Sequence, residues 1–533
     1  MTYLKTHTFG CGLVLAASLL GGCGSSGGSS DNNAAQSEIS GSVFASYMEG
    51  ASVSIYDTAG NLVAGPVMTN AQGGFTIKID TALLDTELVF KSTGGTFTDE
   101  VQSGGVTIGG ALSALLESDA LSGAVEVSVN LTPSTTLVER LVSEHDKTLD
   151  QAKEDFEGAF GFVPNPHIMP KDATIDNADA SADQKLAGLR AAAFSQLTND
   201  LGLTATQQFE LVVQLADDLS DGTLDGKDGA TALEVGETSL GDNIQSKYSQ
   251  SFVDFKVSDK NKTSLTNTEI GILPFAQLAM TDSYKLQYVP GMMKAMEGKT
   301  TFKVKITDLE NNPVTDLSPM LMPMMNMASH SHSTPKGSFV EDEAEEGTYI
   351  ATVYFVMASQ MSSGMSMGYW DLKVSVGEES AHFYPPVMMA MGDTALAKLK
   401  DQNDEIQSMD SMMMPRPYFL FNNGLSTAGD NHDFSIFLAT KDSMMSFPSL
   451  NADSVIVEMS TNQTTWTTAA YTATGIWTGS DLSGLTAGEE GIIYVKLTVD
   501  DLQATDTGEA PDASDENSDE AMFFVTPSAG MQM

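Results

Sequence analysis

Cysteine is nearly absent from this chain: 533 residues include only Cys11 and Cys23. With both near the N-terminus, no disulfide framework, cysteine-ligated zinc, iron–sulfur or blue-copper centre, and no cysteine nucleophile, can be built further along. Positive charge is scarce too. Against 71 Asp and Glu stand 26 Lys and Arg, a formal net charge of −45. Such a surface repels phosphate backbones and anionic headgroups, which excludes nucleic acid as a partner. Beyond the N-terminus no apolar run reaches the ~18 residues of a transmembrane helix. Nor is there a Gly-x-Ser-x-Gly elbow, a His-Glu-x-x-His pair, a phosphate loop or a dinucleotide fingerprint. Carboxylate pairs in so acidic a chain single nothing out, and the chain reads as a non-enzyme. A hydrophobic content of 41%, much of it in alternating segments, argues for folded domains, roughly three to five at this length.

What is present begins with an address. Lys5 precedes an apolar run from Phe9 to Leu20, too short to span a bilayer, which ends Leu20-Gly21-Gly22-Cys23. That ending resembles the lipobox of bacterial lipoprotein signal peptides. The resemblance implies cleavage after residue 22, lipid on Cys23 and anchorage to a bilayer. Gly24 in place of Asp implies the outer rather than the inner membrane. Residues 23–37, rich in Gly and Ser, read as a flexible tether.

Residues 38–98 alternate with period two through Ile39-Ser40-Gly41-Ser42-Val43 and Ala51-Ser52-Val53-Ser54-Ile55-Tyr56, with turn residues at Asp57–Asn61 and Asn70–Gly74. The Gly-x-Val, Gly-Ala-x-Val and Asn-Ala-Gln-Gly-Gly-Phe pattern resembles the carboxypeptidase regulatory-like sandwich, a spacer or binding module without catalytic residues. Residues 99–255 read as a strand plus a helical region. Apolar spacing of three and four predicts helices after Pro133, over Leu149–Phe160, over Ala182–Leu201 and over Ala205–Leu219. Within it, Asp217 to Gly229 offers carboxylates on a Gly-rich turn. As an EF-hand loop from Asp221, however, it has Ala232 where a bidentate Glu belongs, so calcium has weak support. His145 and His167 read as ordinary surface histidines. Residues 380–533 form a further β-rich domain with strand candidates at 418–421, 434–438, 454–459 and 491–499, its aromatics Trp466, Tyr471 and Trp477 suiting a core. The fold class is therefore mainly β: immunoglobulin-like sandwiches in series with an intervening α-helical region.

Residues 275–377 carry the most specific pattern. A strand at Thr301–Asp308 leads into an Asn312-Pro313-Val314 turn. A Met-rich run with histidine follows, then strands at Gly347–Phe355 and Gly368–Val376. This order resembles the YtkA-like family, small immunoglobulin-like sandwiches of exported bacterial proteins that often accompany copper systems. An acidic insertion, residues 341–346, departs from the family pattern.

The methionines themselves are concentrated. Of 30, 22 lie between Met292 and Met459, with four of the seven histidines: His330, His332, His382 and His432. Thioether and imidazole together favour Cu(I) over hard cations. In an extended run Met320, Met322 and Met324 share one face, and His330 and His332 share one. Since a single strand cannot close a shell around an ion, Met361, Met365 and Met367 are the expected second contribution. Met327 completes the candidate ligand set. The predicted function is a membrane-anchored lipoprotein that binds copper, as Cu(I), for storage, tolerance or delivery, with a copper-handling or envelope protein as partner. The alternative is a structural or protein-binding surface lipoprotein whose methionines line an interaction face, since methionine is also an adaptable apolar filler.

Overall fold

In the computed structural model the described residues are 36–102, 106–118, 127–407, 412–428, 431–511 and 519–528. Cys23, the lipobox and the tether lie outside them. The chain is mainly β and multidomain, with a distinct helical region.

The period-two segments at the N-terminus pack as two sheets whose inward residues, Ile39, Val53, Ile55, Phe75, Ile77 and Phe90 among them, make one core. This sandwich continues past residue 98. The Leu112–Leu116 strand pairs with Leu88–Thr98, and Val127–Leu131 runs parallel to Gln36–Val43. Gly41 permits that closure, because a Cβ there would stand 1.7 Å from the Val129 carbonyl oxygen.

The helices begin where the sequence supplies caps. Thr132 caps the Pro133–Glu144 helix, Thr148 with Gln151 forms a capping box on Leu149–Phe160, and Ser181 with Gln184 does so on Ala182–Asp200. Gly161, at φ 77, ends the second of these. A later helix, Ile244–Val257, completes a core around Phe156, Phe160, Phe194 and Tyr248. Among the described residues no helix is long and apolar enough to cross a membrane.

Glu100 is buried where the first sandwich meets the Ala182–Asp200 helix. One carboxylate oxygen accepts the Ser195 hydroxyl at 2.7 Å; the other has no partner among the described residues. Burial first, with the nearby charges of Asp99 and Asp172, holds its carboxyl well above the usual range. A folded pKa above the unfolded one means that the folded chain keeps this proton to higher pH. Its contribution to stability is therefore full below pH ~4 and is lost as pH rises towards the folded value. Glu100→Gln removes that loss. Paired urea titrations should show the variant gaining on the native chain from pH 4.5 to 7.5; parallel curves would refute the assignment.

The middle sandwich, residues 278–383, places one five-stranded sheet against a four-stranded one. In the first, Gly298–Asp308 pairs with Thr348–Phe355; in the second, Met320–Asn326 pairs with Tyr369–Val376, which pairs with Glu379–Phe383. The C-terminal sandwich shares its core: Phe419, Phe421, Phe437 and Ala439 belong to the same cluster, and Tyr354 stacks on Phe437 with centroids 3.9 Å apart. On another side Tyr369 and Tyr384 reach into the helical core. The middle sandwich is thus held between its neighbours rather than strung beside them. In the C-terminal domain Trp477 is buried, Tyr471 meets it edge-on, and Lys496 lies over Trp466.

Candidate methionine–histidine site

The strand Met320–Asn326 divides its methionines by parity. Met320 and Met322 are 64% and 54% exposed and Met324 is half-buried, so these three point outward, while Leu321, Pro323 and Met325 point into the core. Across the ladder Met322 faces Lys373, and Met324 faces Asp371, which pairs with His382 Nδ1 at 2.9 Å. The outward face therefore carries thioethers beside a hydrogen-bonded Asp–His pair.

His332 goes the other way. It stands opposite Met325, which stands opposite Trp370, so the three form one row across three strands on the inward face. Its Nδ1 is 2.7 Å from the Ser333 carbonyl oxygen, and its Nε2 is 3.4 Å from the sulfur of Met357. Trp370 meets the imidazole edge-on at 5.7 Å and donates its indole N–H to the Met357 carbonyl. Phe447 of the C-terminal sandwich stands 6.4 Å from the ring, and the Ser333 amide donates to the Met444 carbonyl. Burial, opposed by the hydrogen bond to the Ser333 carbonyl and aided by the charge of His330, holds the His332 imidazole below its usual pKa.

The expected ligands consequently fall into four groups. Met320, Met322 and Met324 lie on the outer face, with Met320 roughly 17 Å along the strand from the row of Met325. Met327 and Met367 are half-buried and pack against the inner core with Met357. His330 is half-exposed, its ring 6.2 Å from that of His332. Met361 and Met365 are exposed on a tight turn, where the Met361 amide donates to the Met365 carbonyl. The two stretches do converge, but at the Asn326 end of the strand and through Met357. Sequence reasoning passed over Met357 because it stands alone, two residues past the Thr348–Phe355 strand.

A second gathering also went unread. Backbone hydrogen bonds run from Ser359 to Val387, from Met388 to Ala295 and from Glu297 to Met388. They tie three loops to the same end of the middle sandwich, and Met292, Met293, Met361, Met365, Met388, Met389 and Met391 on them are all exposed. Beside these loops a cleft of about 630 Å³ has apolar walls from Leu273, Phe275 and Tyr288, with Glu154, Glu157 and Lys294 also in its lining.

Elsewhere the groupings separate. Met413 and His432 sit at opposite ends of the Met413–Ala428 ladder, roughly 40 Å apart. In the acidic turn, the Asp218 carboxylate accepts the amides of Asp225, Gly226 and Lys227, and Asp221 caps Thr223. Those oxygens serve the loop itself. Among the described residues no group of three or more His, Cys, Asp and Glu is arranged to hold a metal ion.

No protein family matches the chain, and no curated protein matches it. Among solved structures it is similar to the Yersinia pseudotuberculosis adhesin InvE over 46% of this chain and 60% of that one, at 14% identity and TM-score 0.16. It is similar to the Escherichia coli adhesin FdeC over 48% and 66%, at 15% and 0.15. Domains 5–6 of the S-layer protein SbsC match over 46% and 100%, at 12% and 0.14. The chain thus spans less than two thirds of either adhesin chain, and likenesses this weak carry no argument about what it does.

Proposed function

We propose that the chain is a non-catalytic β-domain protein of a bacterial envelope, held by lipid on Cys23 at the outer membrane, and that its middle sandwich receives a basic, amphipathic segment of a partner protein. The observation that carries this reading is the set of exposed methionines on three hydrogen-bonded loops beside the cleft. Unbranched thioether side chains adapt to varied apolar surfaces at small cost, which suits them to docking. Glu154 and Glu157 in the cleft, on a chain of net charge −45, favour a cationic ligand over an anionic one. The sequence patterns that resemble the YtkA-like and carboxypeptidase regulatory-like families lie in the middle and first sandwiches, and on this reading both sandwiches are binding or spacing modules.

Fluorescence anisotropy with the chain from residue 23 onward tests it. A labelled peptide alternating Leu and Lys should bind, and its Leu–Glu counterpart should not. Affinity for the former should fall with added salt. It should also weaken roughly tenfold, about 1.4 kcal/mol, when Met292, Met361, Met388 and Met391 become Ser. Equal binding of both peptides, or indifference to those substitutions, would reject the reading.

A further inference from the structure

We infer that His332 Nε2 and the sulfur of Met357, with Met325 as the third donor, form a buried site for a single soft cation, Cu(I) by its donor set. The first argument is the tautomer. A carbonyl oxygen can only accept, so Nδ1, 2.7 Å from Ser333 O, carries the ring proton. In the neutral ring the other nitrogen is then unprotonated. Nε2 then presents a lone pair, and what it faces at 3.4 Å is another lone-pair atom, the Met357 thioether. Two donors aimed at one another with no proton between them are at ease when a cation sits against both.

Geometry and surroundings agree. With bond lengths of about 2.0 Å to nitrogen and about 2.3 Å to sulfur, as for a d¹⁰ ion, a 3.4 Å separation corresponds to an angle of roughly 105° at the metal. A histidine that gives its second N–H to a backbone carbonyl is the arrangement that fixes a metal-bound imidazole. Met325 stands cross-strand from His332 on the same face, where Cβ atoms are about 5 Å apart. The Met357 backbone is held by the Trp370 indole, so the thioether is positioned before any ion arrives. No carboxylate belongs to this donor set, which disfavours calcium, magnesium and manganese. Met357 is half-buried, and His330, its ring 6.2 Å from that of His332, is half-exposed, which leaves an approach from that side.

Anaerobic titration of the chain from residue 23 with Cu(I), against a chromogenic chelator, reads the site out. The native chain should take up Cu(I) at this site and show both imidazole nitrogen and thioether sulfur in its copper X-ray absorption. Met357→Leu keeps the apolar volume and should weaken binding roughly 100-fold or more, beyond the loss from removing an outer partner. Met320→Leu with Met322→Leu, on the outer face, should bind as the native chain does. Copper held by sulfur alone, equal affinity of M357L and native chain, or loss confined to the outer-face variant would overturn the assignment. The absorption spectrum decides the matter even if a variant fails to fold. The docking surface uses other methionines, so either proposal can fail alone.

Discussion

Trp370→Ala should destabilise the chain by about 3–5 kcal/mol, the range for deleting a large aromatic side chain from a core. Trp370 is fully buried and meets Phe355 at 4.8 Å and His332 at 5.7 Å. Its removal opens a cavity between the two sheets. It also leaves the Met357 carbonyl without the indole N–H it accepts, and an unpaired buried acceptor adds to the loss. Because Phe419 and Phe437 share this core, the effect should reach the C-terminal sandwich. Guanidinium unfolding followed by near-ultraviolet circular dichroism should show the transition moved to lower denaturant. A loss under about 1 kcal/mol would mean that the sheets close without the indole.

Asp218→Ala should cost about 2–4 kcal/mol and act on the loop that follows it. The Asp218 carboxylate is buried and accepts three backbone amides at 2.8–3.4 Å. Alanine leaves those donors unpaired, that of Gly226 buried and the other two part-buried, at about 1–3 kcal/mol for a buried donor, offset by the burial of charge it relieves. Burial outweighs the amides and raises this carboxyl to about 6. Since that lies above the unfolded value, the proton-linked part of its stability is full below pH ~4, falls as pH rises to ~6 and is constant beyond. Hydrogen exchange should show amides 222–228 opening faster in the variant. Unchanged protection there would contradict the account of the turn.

Local rules made some of this architecture legible before any coordinates. The helix Leu149–Phe160 is bounded where its sequence says because Thr148, Gln151 and Gly161 act on their own neighbours. Alternation placed Thr348–Phe355 and Tyr369–Val376 as strands and put Met320, Met322 and Met324 on a common face. The helix Ile244–Val257 went unread because serines, Ser249 and Ser251, occupy buried positions on it and blur the apolar stripe. Of the methionine–histidine contact, the residue types were legible but the pairing was not. Period two cannot say which face looks outward; here Met320 and Met322 meet solvent while Met325 points into the core. The partner of His332 is a solitary methionine 25 residues on, brought to it by the closing of one sheet on another. The exposed methionine loops are joined by the backbone bonds of Ser359 with Val387 and of Met388 with Ala295, contacts between segments far apart in sequence.

The gathering of these loops into one docking surface is tested most directly by methyl-labelled methionine NMR during titration with the Leu–Lys peptide. The methyl signals of Met292, Met293, Met361, Met365, Met388, Met389 and Met391 should shift together at a common midpoint, while those of Met320 and Met322 stay put. Shifts scattered over all exposed methionines, or confined to the outer sheet face, would contradict it.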